Sequence, residues 1–294
     1  MTTNPAPRKT PIVAIGQAEQ IGDRSVQQDA VNFRTRTADP AAYMVAAIAD
    51  GVGTAHGSEY IARAAVEAVC ALGEFADYQF NPEELLPLAA AVLPLYAPTA
   101  HAEAQTAFTG FADGPGYGHR PNTTIAAVTI GEDAEIYVGW LGDCRVWVEL
   151  ADGRLIQLTE DHNQAAIGRP NVVTRTLANP GEGAQRAYWH HWGVPERRPV
   201  RVLLTTDGVH DVLPERAIRY ALTTAPNALR AATWLTQWAV RAPGRDADNA
   251  TALVLEIAPA ESEHDSAADE GENSTAAADT TEPIDWDDIR SDRI

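Results

Sequence analysis

Four aspartates, Asp50, Asp143, Asp207 and Asp248, each stand beside an apolar run with strand character, and three of them are followed at once by Gly or Asn. The runs are 43–49, 136–141, 200–204 and, on the far side of Asp248, 252–257. Carboxylates at strand ends, far apart in sequence, allow an antiparallel scaffold to gather hard oxygen ligands for Mg²⁺ or Mn²⁺. If the runs are adjacent strands of one core, the acids converge. Asp50-Gly51 and Asp207-Gly208 share a pattern: an apolar strand runs into an acid, then Gly, then a helix. Gly at that point lets the backbone approach a ligand closely and can present its own carbonyl to a metal. Helix caps use the same residue types, and one Asp-Gly alone is an ordinary turn.

Arg24, in Gly22-Asp23-Arg24-Ser25-Val26-Gln27-Gln28-Asp29, is the best-placed candidate to hold phosphate. A guanidinium fork grips two phosphate oxygens at once, which a point charge does not. The elements that must position these groups are strands with a few helices. Positions 58–72 read as a helix with Ile61, Ala65, Val69 and Leu72 on one face and Ser58 as its cap. Asn81-Pro82-Glu83-Glu84 supplies a cap, a first-turn proline and first-turn acids for a second helix to about Leu93. Further helices are expected at 214–222 and 227–241, where Trp234 and Trp238, four apart, read as core. Strands 124–130 and 135–141, and again 145–150 and 154–158, flank short turns and form hairpins. Strands so joined are antiparallel, so the expected fold is α+β: two packed antiparallel sheets with helices outside.

The 294 residues, 45 % hydrophobic, suffice for one large domain. A net charge of −19 argues against nucleic-acid or anionic-membrane partners, but not against phosphorylated proteins, which need only a local Arg. Cys70 and Cys144 are isolated, which suggests neither a zinc knuckle nor a disulfide framework and points to a reducing cytoplasm. No apolar leader is evident at the start, and no stretch approaches the roughly 20 residues of a membrane span. The expected organisation is a loose arm at 1–10, one domain at 11–257 and an acidic, disordered tail at 258–294. Within the tail, Ile284-Asp285-Trp286-Asp287-Asp288-Ile289-Arg290 is the exception, an apolar cluster in an acidic setting.

Taken in order, the motifs resemble the metal-dependent protein phosphatases of type 2C, the PPM family, and its compact bacterial branch. The pieces are Arg24-Ser25-Val26-Gln27-Gln28-Asp29 (compare R-x-x-N-[EQ]-D), Ala49-Asp50-Gly51-Val52-Gly53, Asn122-Thr123-Thr124, and Gly139-Trp140-Leu141-Gly142-Asp143-Cys144-Arg145 (compare V-G-D-S-R). Leu158-Thr159-Glu160-Asp161-His162, Val173-Thr174-Arg175-Thr176-Leu177, Thr206-Asp207-Gly208-Val209-His210-Asp211 and Asp248-Asn249-Ala250-Thr251 follow. The resemblance implies an α-β-β-α sandwich and a serine/threonine phosphatase acting on phosphoproteins, a cytoplasmic monomer set against a Ser/Thr kinase system. It also implies two Mn²⁺ or Mg²⁺ ions, with a weaker third: Asp50 bridging, Asp207 and Asp248 completing one ion, Asp29 and the Gly51 carbonyl serving the other, Asp143 helping the third. Arg24 would clamp the substrate phosphate. A water shared by two such ions is acidic enough to attack phosphorus in line without a covalent enzyme intermediate.

Departures from the family pattern bear on mechanism. Gln28 stands where many eukaryotic members have Glu, and Val52 where some place a His that protonates the leaving group, leaving His56 and His210 as guesses for that task. The segment between Asp161-His162 and Thr174-Arg175 is short, so the flap of bacterial members reads as truncated and the site as more open. His162 reads as packed or hydrogen-bonded, since no His or Cys partner stands at metal-ligand spacing. Gly51-Val52-Gly53-Thr54-Ala55-His56-Gly57 is one residue too long for a dinucleotide loop. The alternative function, from another class, is an inactive phosphatase-like domain that binds phosphoproteins as a regulatory module.

Overall fold

Among the described residues there are twelve strands and five α-helices, and every strand pairing within the two main sheets is antiparallel. The computed structural model describes residues 12–36, 43–52, 57–75, 82–96, 121–131, 133–178, 180–190, 192–244 and 246–258. The expected N-terminal arm, nearly all of the acidic tail, Asn81 and His56 lie outside the described residues. One sheet orders β1 (Ile12–Gln20), β12 (Ala250–Ile257), β11 (Pro199–Thr205), β6 (Arg145–Leu150) and β7 (Leu155–Gln157). The other orders β10 (Gln185–Trp189), β5 (Ile136–Leu141), β4 (Asn122–Ile130), β3 (Tyr43–Val52) and β2 (Asp29–Arg36).

The sheets face each other across a core that includes Met44, Ile48, Val128, Ile130, Val146, Val148, Leu204, Leu253 and Leu255. Their outer faces are covered by helices. On the β2–β5 side, α1 (Ser58–Phe75) and α2 (Pro82–Tyr96) bury Ile61, Ala65, Val69, Leu85 and Leu86 against Val45, Ala47, Ile125 and Ala127. On the β11–β12 side, α4 (Glu215–Thr224) and α5 (Ala228–Val240), preceded by the single turn α3 (Asp207–His210), bury Ile218, Leu222, Leu235 and Trp238 against Leu203, Ala252 and Val254. Central strands are therefore covered on both faces, which is why β4 and β12 read as continuous apolar runs while the edge strand β1 alternates.

One local expectation needs correction. Ser58 does not cap α1: its hydroxyl donates to the Val52 carbonyl at 2.9 Å, and the Tyr60 and Ile61 amides instead find the Gly57 carbonyl. The residue type was right for a cap, but the hydroxyl serves to hold the end of β3. Within the short segment after His162, Asn163–Gln164 (β8) and Arg169–Val173 (β9) pair as a small antiparallel hairpin joined by one 3₁₀ turn. Asn227 does cap α5, accepting from the Arg230 amide at 2.9 Å, and Trp234 stacks on Trp238 with ring centroids 5.5 Å apart, as its spacing suggests.

Candidate active site

Strand register brings the acids together. Asp29 opens β2 directly opposite Asp50 near the end of β3, and Asp50 in turn lies opposite Thr124 at the start of β4. Asp143 sits in the turn between β5 and β6, and Arg145, the first residue of β6, pairs with Thr205, the last of β11. Asp207 follows Thr205 by two residues, while Asp248 precedes the start of β12 by two. In antiparallel sheets these are all the same end of the sandwich. Five carboxylates from five chain segments thus gather at one pole.

Close backbone crossings make this possible and explain the glycines. A Cβ on Gly208 would lie 1.9 Å from the Asn249 carbonyl oxygen, and one on Gly51 2.8 Å from the Gln28 carbonyl oxygen. Gly22, with φ +63°, meets the Asp248 carbonyl in the same way. The glycines after Asp50 and Asp207 therefore serve backbone-to-backbone contact between the acid-bearing segments. Asn249 completes the joint: its side chain accepts from the Gln28 amide at 2.8 Å and donates to the Ile21 carbonyl at 2.9 Å. Thr206 donates to Asp29 Oδ2 at 2.8 Å and accepts from the Thr251 amide at 3.0 Å, joining β2, β11 and β12 in one relay.

The acids differ in exposure. Asp29 and Asp143 are 2 % and 6 % exposed, whereas Asp50, Asp207 and Asp248 are half-buried. Burial, followed by hydrogen-bond and charge effects that include Asp248, leaves Asp29 at about 7, and burial with Asp161 raises Asp143 to about 7. Asp50 is driven well above the carboxylate range by burial and then by Asp207, Asp29, Asp143 and Asp248. Asp207 is raised by burial and then by Asp143, Asp29, Asp248 and Asp211. Among the described residues no three His, Cys, Asp or Glu side chains are drawn tightly enough to enclose one ion. The ring is looser than a finished coordination shell, and it is strand register that places the acids at the same end of the sandwich. Oδ1 of Asp29 and Oδ1 of Asp143 are buried without a protein partner. An all-carboxylate set with orphaned buried oxygens suits a hard divalent cation.

A sequence profile described as protein phosphatase 2C matches residues 17–240. The chain belongs to the protein phosphatase 2C family. That family is one of protein phosphatases, hydrolases by reaction class. No curated protein sequence matches the chain. Among solved structures, the serine/threonine phosphatase PstP/Ppp of Mycobacterium tuberculosis superposes with a TM-score of 0.62 at 20 % identity, covering 84 % of this chain and 99 % of that one. Stp1, a serine/threonine phosphatase of Staphylococcus aureus, gives 0.65 at 16 % identity, with 87 % and 99 % covered. MsPP of Mycobacterium smegmatis, a PPM Ser-Thr phosphatase in complex with cacodylate, gives 0.58 at 22 % identity, with 84 % and 99 % covered. The PPM sandwich is thus the fold of this phosphatase 2C member.

Arg24 also reaches the acidic pole. Its Nη2 stands 2.5 Å from Asp248 Oδ2, and half of its side chain is exposed beside the opening. His210 does not reach the opening: it is buried in α3, its Nδ1 2.8 Å from Thr205 Oγ1, with burial and then Arg145 holding it neutral. His162 accepts the Gly142 amide on Nδ1 at 3.0 Å, donates its own amide to the Gly142 carbonyl at 2.9 Å, and stacks on Trp140. It anchors the turn that carries Asp143. Arg145 adds a fork to Asp161, at 2.9 and 2.6 Å, from the strand that follows that turn. Sequence reading passed over Thr206 and Asn249 as contributors. Their one signal was position, each directly beside a candidate acid at a strand end.

Proposed function

We propose that the chain is an active metal-dependent serine/threonine protein phosphatase, hydrolysing phosphoprotein monoesters, with Mn²⁺ or Mg²⁺ as its cofactor. The observation that carries this reading is the gathering of Asp29, Asp50, Asp143, Asp207 and Asp248 at one pole with an arginine at its rim. Asp50 and Asp207, with Asp248, would hold one ion; Asp29, Asp50 and the Gly51 carbonyl the other; Asp143 a weaker third. When bound, such ions supply an acidified water as nucleophile and positive charge against the phosphate oxygens. The chain's own residues do the rest. Arg24, already at the rim, offers two parallel N–H donors to the phosphoryl oxygens and fixes their orientation. Thr206 and Asn249 hold Asp29 and the Asp248 segment in place. Val52 brings no proton and His210 is buried in α3 with its Nδ1 on Thr205, so neither protonates the leaving alkoxide, while the other candidate, His56, lies outside the described residues.

The rival reading, a module that binds phosphoproteins without turnover, has no missing acid to recommend it. Release of phosphate from a phosphothreonine peptide, assayed with Mn²⁺, with Mg²⁺ and with EDTA, separates the two. EDTA-sensitive turnover is expected. Correctly folded protein that binds the peptide but releases no phosphate under any of these conditions would favour the module. The same reading makes 11–257 the catalytic unit and cytoplasmic phosphoproteins its substrates.

A further inference from the structure

The pole opposite the acids carries an exposed aromatic ladder that catalysis does not use. There β10 ends opposite the start of β5, with Trp189 paired to Ile136. Tyr188 leans on Tyr137 with ring centroids 4.6 Å apart, His190 lies 6.3 Å beyond Tyr188, and Trp192 lies 4.6 Å beyond His190. Tyr188 is 46 % and Trp192 69 % exposed, and Trp192 adopts φ +53°, a conformation that a bulky side chain rarely takes. An exposed indole held in a disfavoured backbone conformation points to a role outside the core. At the same end of β10, on the strand's other face, the Arg197 guanidinium lies 5.2 Å from the Trp189 ring centroid.

The chain itself leaves the sandwich at this spot. Arg198, next to Arg197, donates to the carbonyl of Ala258, the last described residue after β12. The 36 residues beyond contain twelve acids against two arginines and one Trp, Trp286, flanked by Ile284 and Ile289. We propose that Ile284–Ile289 docks in cis on this ladder, Trp286 against Tyr188 and Trp192, with Asp285, Asp287 and Asp288 facing Arg197. Twenty-six positions separate Ala258 from Ile284, and a random coil of that length has a root-mean-square reach of about 25–30 Å, enough for a site beside its own origin. Such a tether gives an effective concentration on the order of millimolar, which favours the chain's own segment over a second copy.

Cross-linking on the full chain tests this. Cys70 and Cys144 are both buried, so a benzophenone maleimide attaches selectively to a Ser291→Cys variant. Irradiation is expected to yield a link within one chain to the peptide 185–198. Adding Trp286→Ala, or separately Trp192→Ala, should lower its yield at least about fivefold. A product at twice the chain mass, links to other faces, or a yield indifferent to Trp286→Ala would each overturn the proposal.

Discussion

At the residue scale, the proposed function gives Arg24 and Asp143 separable tasks. Arg24 stands at the rim, so Arg24→Ala should act mainly on substrate binding. Losing a charge-assisted fork costs roughly 1.5–3 kcal/mol, or about 10- to 150-fold in kcat/KM carried chiefly by KM. Steady-state kinetics on a phosphothreonine peptide check this, and an unchanged KM would contradict the clamp. Asp143 is buried with one oxygen unpartnered, yet it sits on a turn apart from the β2–β3 and β11–β12 joints. Asp143→Ala should slow turnover by about tenfold or more while two ions still bind, which crystals soaked in Mn²⁺ would reveal. The acids themselves were legible in the sequence, because Asp at the end of an apolar run, followed by Gly or Asn, is a local pattern. Their unequal burial was not legible. It depends on which segments cross above each one.

At the element scale, the joints between segments decide whether the acids meet. The Gly208 crossing is the tightest, since an added Cβ would meet the Asn249 carbonyl, a backbone atom that has no easy way to give. Gly208→Ala should therefore lower stability by about 1–3 kcal/mol in thermal unfolding and reduce turnover with it. A stable and fully active variant would mean that the joint is looser than the structure shows. His162 works at the next joint as a neutral acceptor for the Gly142 amide. Burial, then the nearby Arg175, lowers its pKa from 6.5 to about 4. The unfolded chain binds this proton below pH 6.5 and the folded chain only below about 4. Its contribution to stability is therefore present above pH 6.5 and is lost as pH falls to 4. The stability difference between wild type and His162→Asn should shrink across that window, as denaturant titration at several pH values would measure. Helices and hairpins were readable here because each is set by local periodicity and turn residues. The Thr206 bond to Asp29 was not, as it spans 177 positions and exists only once β2 and β11 are aligned. Ser58 misled for the same reason: a hydroxyl at a helix start suits a cap, and only the neighbouring end of β3 turns it elsewhere.

At the scale of the whole molecule, the sandwich separates two poles. One end of both sheets collects the acids and Arg24, and the other carries the aromatic ladder and the exit of the chain. The two-sheet architecture was legible from short turns between apolar runs, since strands so joined have to be antiparallel. Which strand ends face each other follows from sheet order, β1-β12-β11-β6-β7 against β10-β5-β4-β3-β2, and no local pattern encodes that order. The central claim is that the acidic pole is a divalent-cation site. Calorimetric titration of metal-stripped protein with Mn²⁺ tests it most directly, with wild type and Asp50→Asn compared at equal foldedness by circular dichroism. At least two bound ions per wild-type chain are expected, and Asp50→Asn should lose affinity at least about tenfold. Wild type that binds no Mn²⁺, or an Asp50→Asn variant that binds it unchanged, would contradict the account.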